Sequence, residues 1–242
     1  MFNKPGTALY YSVKEEILES INSGTYPVGS QLPTEAELCK IFDVSRTTIR
    51  LALQQLELEG RINKVQGKGT FVSKPKIRES LTQNIRSFSE QMRDAGLSSY
   101  SKIISMDVIP ATALLAHSLE IEEGDPIIQL VRLRFAGKEP YQYATSYIPW
   151  KVAPGLLHDD CSGSLFHLLT SKYQVQLLKS IETLEPIMPD KKVCELLHIP
   201  ENTPSFLTDS LTYSTDNVPI EFSTTIVRGD FAKFVSERFY KS

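Results

Sequence analysis

Long apolar runs and clustered cysteines are both missing from this sequence. No apolar stretch approaches the about 18 residues needed to span a bilayer. The first residues, Met-Phe-Asn-Lys-Pro-Gly, lack the apolar core of a signal peptide. The three cysteines lie far apart, at positions 39, 161 and 194, which favours reduced thiols over a disulfide framework. We therefore expect a cytoplasmic globular protein, whose 242 residues can form one large domain or two ordinary ones.

Signatures of catalysis are also missing. None of the four histidines stands at metal-ligand spacing from another histidine or from a cysteine. They are His117, His158, His167 and His198. The pair Gly163-Ser164 lacks the surrounding glycines of a nucleophile elbow. We expect no catalytic residue, no metal and no cofactor, and hence a protein that is not an enzyme.

Charge is distributed unevenly along the chain. Residues 1–76 contain 10 Lys and Arg against 8 Asp and Glu, a net charge of +2. The remainder contains 16 against 21, a net charge of −5. A positive excess of two charges proves nothing alone, so the placement of the basic residues must decide whether this segment binds a nucleic acid.

The basic segment opens with two predicted helices. Apolar residues recur at helical spacing over residues 9–21, and Gly24 ends that helix. Thr34 then begins a second helix, because Glu37 stands three residues on and completes a capping box. Its predicted buried stripe is Leu38, Ile41 and Phe42.

A third helix and a hairpin follow. Ser45 is placed to cap the helix and Gly60 to end it. Residues 61–65 alternate like a strand, and residues 70–72 return after the Gly67-Lys68-Gly69 turn. Helix, tight turn, helix and two-stranded hairpin predict a winged helix-turn-helix.

Glycines around Lys68 suggest a loop that holds a phosphate, either of a nucleotide or of a nucleic-acid backbone. A nucleotide-binding P-loop has a different glycine spacing and opens a helix, whereas a strand follows here. The exposed side of the third helix carries side chains that pair with bases or phosphates: Arg46, Thr47, Thr48, Arg50 and Gln54. Taken alone they could form an ordinary solvated helix face. Because Gln66, Lys68 and Thr70 extend the same basic edge, we interpret the phosphate as that of DNA.

Beyond residue 73 the chain changes character. Residues 73–76 are polar, basic and broken by Pro75, which predicts a linker over 74–79. A helix is expected around residues 85–95, and strands at 102–109, 127–136, 141–148, 177–187, 205–214 and 219–228. A weak repeat relates Leu119-Glu120-Ile121 to Leu197-His198-Ile199 at an offset of 78. A duplicated helix-plus-hairpin unit predicts an α+β domain with an antiparallel sheet.

Two arginines stand out in the strand at 127–136. Arg132 and Arg134, at i and i+2, lie on one face and have the geometry to clamp one anion. The alternative is a half-exposed sheet face with both arginines in solvent. Tyr143 and Tyr147 leave a similar choice between lining a pocket and packing the sheet.

The segment LPTEAELCKIFDVSRTTIRLALQQLELEGRINKVQGKGTFV resembles the winged helix of the GntR family of bacterial transcription regulators. The resemblance implies recognition-helix contacts by Arg46, Thr47, Thr48 and Arg50 and a wing tip, at residues 66–68, in the minor groove. Many members have arginine where this sequence has Ala36, so one contact is absent or replaced. The predicted DNA-binding set is Thr34, Ser45, Arg46, Thr47, Thr48, Arg50, Gln66, Gly67, Lys68 and Gly69.

The segments DPIIQLVRLRFAGKEPYQYATSYIP, SLFHLLTSKYQV and VPIEFSTTIVRGDFAKF resemble the UTRA ligand-sensing domain of the HutC subfamily of GntR regulators. That resemblance implies a chorismate-lyase-like fold, a small effector and a homodimer. It implies that Arg132 and Arg134 grip the effector's anionic group, that Ser164 stands beside it and that Glu221 accepts from sugar hydroxyls. The predicted effector-binding set is Phe88, Ser89, Arg132, Arg134, Ser164, Glu221 and Arg228.

Together these expectations describe a cytoplasmic regulator with a DNA-binding domain at 1–73, a linker at 74–79 and a UTRA domain at 80–242. We expect a homodimeric repressor of a sugar or amino-sugar operon, with near-palindromic operator DNA and a small anionic effector such as a sugar phosphate as its partners. Two alternatives stay open: a constitutive DNA-binding protein without a ligand, and a chorismate-lyase-like enzyme with a DNA-binding segment.

Overall fold

The computed structural model of the chain describes residues 8–73, 76–80 and 87–236. The chain divides into two compact units, residues 1–76 and residues 77–242. Within the described ranges, no helix is both long and apolar enough to cross a membrane.

The first unit is a winged helix-turn-helix, as predicted. Its elements are α1 (Leu9–Asn22), α2 (Glu35–Phe42), α3 (Arg46–Leu58), β1 (Ile62–Val65) and β2 (Gly69–Val72). β1 and β2 pair antiparallel to form the wing. The three helices and the wing enclose one apolar core, to which α3 contributes Ile49, Ala52, Leu53 and Leu56.

The helix starts in this unit follow local capping. The Thr34 hydroxyl accepts from the backbone N–H of Glu37, and the Glu37 carboxylate accepts from that of Thr34 at 2.8 Å. The Ser45 hydroxyl accepts from the N–H of Thr48 at 3.2 Å. Each cap satisfies donors that the first turn of a helix leaves free, so both predicted starts are confirmed.

The prediction is wrong for one residue of the buried stripe of α2. Leu38 and Phe42 are buried, but the side chain of Ile41 is 55% exposed. α2 is only eight residues long and meets the core through the i, i+4 row of Leu38 and Phe42. Ile41 projects beside that row and stays in solvent.

The second unit is an α+β fold around a six-stranded antiparallel sheet. Its helices are α4 (Phe88–Asp94), α5 (Ala113–Leu119), α6 (Leu165–Ser171) and α7 (Lys191–Leu197). Its strands are β3 (Ile77–Ser80), β4 (Ser99–Pro110), β5 (Pro126–Ala136), β6 (Glu139–Pro149), β7 (Leu177–Ile187), β8 (Ser205–Ser214), β9 (Pro219–Arg228) and β10 (Ala232–Val235). The sheet has the order β4-β5-β6-β9-β8-β7, and β3 pairs separately with β10. The six strands of the large sheet agree with the six predicted strands.

The sheet is built from two copies of one β-α-β-β unit, β4-α5-β5-β6 and β7-α7-β8-β9. α5 and α7 are both seven residues long and begin 78 positions apart, at Ala113 and Lys191. Each ends on a residue in the left-handed conformation, Glu120 at φ 53° and His198 at φ 54°. Because β6 pairs with β9, the two copies meet at the centre of the sheet. The weak sequence repeat therefore corresponds to a structural duplication.

The predicted linker and first helix of this unit differ from the structure. Residues 74 and 75 lie outside the described residues, but Ile77–Ser80 is a strand that pairs in parallel with Ala232–Val235. The sequence could not reveal this strand, because its partner lies at the far end of the chain. Arg78 and Glu79 also give residues 77–80 the composition of a linker. The helix predicted around residues 85–95 begins at Phe88, because Ser87 and Glu90 form a capping box there. Ile85 lies outside the described residues.

Different elements cover the two faces of the sheet. α5 and α7 pack on one face, which we call the helix face. On the opposite face, which we call the polar face, α6 and the preceding segment pack over Ile128 and Ile148. α4, β3 and β10 pack around Tyr141 and Val227.

Candidate DNA-binding and effector sites

The cap of α3 fixes the first turn of the predicted recognition helix. The hydroxyls of Ser45 and Thr48 lie 2.9 Å apart, which orders the turn that carries Arg46 and Thr47. Both of these side chains are exposed, while the opposite side of the helix is buried in the core. Amphipathic α3 therefore presents its polar side chains to solvent at its N-terminal end, where recognition helices meet bases.

Arg50 lies on the same exposed side but has a partner within the domain. Its Nε donates to the Glu35 carboxylate at 3.0 Å. An exposed pair of this kind contributes little to stability, so the guanidinium can exchange Glu35 for a phosphate at small cost. Thr34, also in the predicted set, donates its hydroxyl to Glu37 and serves as the cap of α2.

The wing tip requires glycine for geometric reasons. Gly67 has φ +75° and Gly69 has φ +123°, both in the region that side chains disfavour. The turn closes by a hydrogen bond from the Lys68 N–H to the Val65 carbonyl at 3.0 Å. Gln66 and Lys68 are left exposed at the tip.

Gln31 supports the wing, and sequence reasoning missed it. Its Nε2 donates to the Lys68 carbonyl at 3.0 Å and so connects the loop before α2 to the wing. A Cβ at Gly69 would lie 2.4 Å from that Nε2, so a larger residue there would displace the Gln31 side chain from the wing. The two partners are 37 positions apart, and no local pattern reveals the contact.

In the second unit, strand register places three of the predicted effector residues on the polar face. Arg132 pairs with Ala144, which pairs with Thr225, so these positions share a face. Side chains alternate along a strand, so Arg134 and Glu221 point to the same face as Arg132. This face also carries Ser146, whose buried hydroxyl lies close to the Glu221 carboxylate.

Arg132 is a buried cation with unused donors. Only 2% of its surface is exposed. Its Nη1 donates to the carbonyls of Cys161 at 3.3 Å and Gly163 at 3.4 Å. Within the described part of the chain, its Nε and Nη2 are buried and have no hydrogen-bond partner. Burial lowers the pKa of Arg132, opposed by the nearby carboxylate of Glu221.

Arg134 stands beside Arg132 and is held by two neighbours. Its Nη1 donates to the Gln142 side-chain oxygen at 3.3 Å. Its guanidinium lies 5.5 Å from the centre of the Phe88 ring, within cation–π range. Burial, and then the like charge of Arg132, lower the pKa of Arg134 to about 9. Two adjacent cations repel each other, so the pair favours an anion between them.

Glu221 supplies the acceptor of this cluster. It is 3% exposed, and burial raises its pKa, opposed by both arginines. The predicted residues Phe88, Arg132, Arg134 and Glu221 are thus close to one another. Ser164 follows Gly163, the carbonyl partner of Arg132, and caps α6 by accepting from the N–H of His167 at 3.2 Å. Ser89 follows Phe88 in the first turn of α4.

Arg228 is not brought into this cluster. It lies three positions beyond Thr225 and therefore points to the helix face. Its Nη1 donates to the carbonyls of Pro140 at 3.0 Å and Leu197 at 3.3 Å, and its Nη2 pairs with Asp230 at 2.7 Å. These contacts tie together three segments of the domain, so its guanidinium is occupied structurally.

The two tyrosines of β6 also lie on the helix face. Tyr143 packs beside α7, whereas Tyr147 packs beside α5 and stacks on Phe222 with ring centres 6.3 Å apart. Both pack the sheet rather than line the arginine cluster. Gln142 and Ser146 alternate with them and were missed, although their polarity at i and i+4 was a signal.

Known protein families match both units. The profile of bacterial regulatory proteins of the gntR family matches residues 9–72, and the UTRA domain profile matches residues 94–233. The chain belongs to the GntR family. Because a UTRA domain follows the winged helix, it is a HutC-type member. Regulators of this kind bind operator DNA and, through the UTRA domain, a small-molecule effector. This protein is accordingly a transcription regulator and not an enzyme.

Individual relatives agree over nearly the whole chain. The transcriptional repressor NagR of Bacillus subtilis is 30% identical over 227 residues, covering 94% of this chain and 93% of that one. The mannosyl-D-glycerate transport/metabolism system repressor MngR of Escherichia coli is 29% identical and covers 97% and 96%. The crystal structure of PhnF from Mycobacterium smegmatis matches with a TM-score of 0.78 at 27% identity, covering 95% and 100%.

Proposed function

We propose that this GntR regulator represses a sugar or amino-sugar utilisation operon. In this proposal a small anionic effector, a phosphorylated sugar derivative, releases it from its operator. Two relatives named above, NagR and MngR, are repressors. Another, 27% identical over 223 residues, is a probable fructoselysine utilization operon repressor of Escherichia coli.

The observation that carries the effector half is that two nitrogens of the buried Arg132 guanidinium have no partner among the described residues. Leaving a buried charged donor without a partner costs several kcal/mol, on the order of the penalty for a broken buried pair. Nε and Nη2 of Arg132 meet this description. A phosphate group presents enough oxygens to accept from these two donors and from Arg134 together. An anion therefore offsets the cost of keeping the two arginines in the sheet.

The polar partners around the arginines favour a polyol attached to that anion. Glu221 is a buried acceptor, and the hydroxyl of Ser146 is buried on the same face. Sugar hydroxyls both donate and accept, and so satisfy a carboxylate and a serine together. An aliphatic acid would offer a hydroxyl to neither of these groups.

The DNA half rests on exposed side chains of α3 and of the wing. Arg46 and Thr47 supply base or phosphate contacts, and Lys68 supplies a charge at the wing tip. A symmetric homodimer would present two such domains to a near-palindromic operator. The edge strand β7 and the segment after it expose apolar side chains suited to a second copy, namely Leu178, Ile181 and Met188. Analytical ultracentrifugation of the DNA-free protein tests the homodimer.

Release requires that the effector bind one arrangement of the domains more tightly than the other. The segment around Pro75, outside the described residues, is the proposed joint. Fluorescence anisotropy of the full-length protein on its upstream intergenic DNA measures the release. Glucose 6-phosphate and other sugar phosphates are the probes, and the unphosphorylated sugars are the controls.

Three variants make this measurement specific. Arg46→Ala is expected to weaken operator binding by about 1–3 kcal/mol per half-site, because one base or phosphate contact is lost. Arg132→Leu should bind the operator like the unmodified protein and no longer respond to the effector. Arg93→Leu removes an exposed arginine of the same domain and should change neither property. Operator binding that no compound alters would contradict the sugar-phosphate assignment.

A further inference from the structure

Glu79 is a buried carboxylate outside the arginine cluster. It lies in β3, and only 8% of its surface is exposed. β2 of the winged helix ends at Val72, and β3 begins at Ile77, so four residues separate them. β3 is thus the part of the sensor domain that the chain enters directly from the DNA-binding domain.

Two side chains of the sheet hold Glu79 in place. The Tyr141 hydroxyl donates to its Oε1 at 2.6 Å, and the Gln142 Nε2 donates to the same oxygen at 3.1 Å. Among the described residues, β3 pairs with β10 over four residues, and its Ile77 is buried in the core around Tyr141. A four-residue parallel pair is a weak attachment, so these two hydrogen bonds add to what fixes the strand.

Gln142 also contacts the proposed anion site. Its side-chain oxygen accepts from Arg134 Nη1 at 3.3 Å, while its Nε2 donates to Glu79. This orientation of the amide is dictated by its neighbours. A flipped amide would place NH2 against a guanidinium and an oxygen against a carboxylate, and neither arrangement can form a hydrogen bond.

We infer that the chain of contacts from Arg134 through Gln142 to Glu79 transmits occupancy of the anion site to the linker strand β3. The inference rests on the proposed function, since it requires an anion at Arg134. Such an anion competes for the Arg134 donors and removes a partner from the Gln142 oxygen. Without that partner the Gln142 amide is free to turn away from Glu79, which loosens β3, where the DNA-binding domain is attached. Glu79 is a positioning residue and does not contact the effector.

A first experiment needs no effector. Hydrogen exchange of the amides at 77–80 is followed in the full-length protein and in three variants. Gln142→Leu severs the contact chain and should speed exchange about tenfold or more. Glu79→Gln keeps an oxygen that accepts from both donors and should stay within about threefold of the unmodified protein. Gln129→Leu, which removes a side-chain hydrogen bond to Tyr147 on the helix face, should leave the exchange unchanged. Unchanged exchange in Gln142→Leu would overturn the inference.

A second experiment separates transmission from a merely structural role. Inorganic phosphate is titrated at constant ionic strength, and Trp150, the single tryptophan, reports binding because it packs beside the α6 segment. Phosphate should speed exchange of β3 in the unmodified protein but produce no further change in Gln142→Leu, compared at the same phosphate occupancy as measured by the Trp150 titration of each protein. Binding without any response of β3 would overturn the relay alone. Absence of phosphate binding would overturn the anion site, and with it the relay.

Discussion

The two domains keep their predicted functional residues in opposite environments. In the winged helix, Arg46 and Lys68 are exposed. In the sensor domain, Arg132 and Glu221 are almost completely buried. A DNA duplex is larger than the domain and is met at the surface, whereas a small effector is enclosed. An exposed arginine is ordinary and says little about function, but a buried arginine with unused donors needs an explanation.

Burial by itself does not identify a ligand site, as a comparison within the sensor domain shows. Arg228 is 7% exposed, yet its donors are taken by two carbonyls and by Asp230. Arg132 is 2% exposed, and two of its three nitrogens have no partner among the described residues. Both arginines are buried, so what marks Arg132 as a candidate effector contact is its unused hydrogen-bond donors.

The largest expected effect is on stability and tests this difference. Arg228→Leu should lower the free energy of unfolding by about 1.5–3 kcal/mol, because the buried carbonyls of Pro140 and Leu197 lose a charged donor. Arg132→Leu should cost clearly less without effector, because its bonds to the Cys161 and Gly163 carbonyls are longer, at 3.3 and 3.4 Å, and because the substitution also removes two buried donors that lack a partner among the described residues. Thermal unfolding of the full chain, followed by Trp150 fluorescence, reports on the sensor domain. An equal loss in both variants would make Arg132 a structural residue as well.

The second effect concerns the wing. Gly67 and Gly69 both have positive φ, but only Gly69 faces Gln31. Alanine at either position costs about 1–2 kcal/mol for the left-handed backbone. Gly69→Ala should in addition displace Gln31 from the Lys68 carbonyl and move the tip.

Operator affinity is the measurement, because the wing contacts belong to DNA binding. Gly69→Ala should weaken binding more than Gly67→Ala does, by about threefold to tenfold. Gln31→Ala should reproduce the additional loss without the backbone strain. Equal affinities of the two glycine variants would show that the Gln31 contact does not position the wing.

The sequence predicts local features of this protein well, for a physical reason. The caps at Thr34 and Ser45 and the left-handed glycine at position 60 involve residues within three or four positions of one another. The six sheet strands are long enough to show their alternation. The family resemblance adds Arg132, Arg134 and Glu221, which the structure brings close together.

Features that depend on distant partners could not be predicted. β3 pairs with the last described strand of the chain, and nothing in its four residues indicates this. The contacts of Gln31 with the wing and of Gln142 with Glu79 span 37 and 63 positions. Arg228 was predicted in the effector set although strand register places it on the opposite face, and register follows from pairing rather than from composition.

The smallest expected effect is on the pH dependence of stability, for which we compare one carboxylate from each domain. In the winged helix, the hydrogen bond from the Thr34 backbone N–H lowers the pKa of Glu37. In the sensor domain, burial raises the pKa of Glu221. A lowered pKa stabilises the fold above the unfolded-state value of 4.5, and that stabilisation is lost as the pH falls through the folded pKa. A raised pKa has the opposite sign, because its cost at neutral pH is relieved as the pH falls.

Thr34→Ala should therefore lower the protection of the α2 amides by an amount equivalent to about 1 kcal/mol at pH 7. The difference from the unmodified protein should shrink as the pH falls through the folded pKa of Glu37, because the protonated carboxyl no longer completes the capping box. Glu221→Gln should not lower amide protection in the sensor domain, because it removes the same buried charge that acidification neutralises in the unmodified protein. Protection factors from hydrogen exchange, which correct for the intrinsic rate at each pH, give both comparisons in one sample. A Thr34→Ala difference that is independent of pH would show that Glu37 contributes nothing to the cap, and the contrast between the two carboxylates would then rest on burial alone.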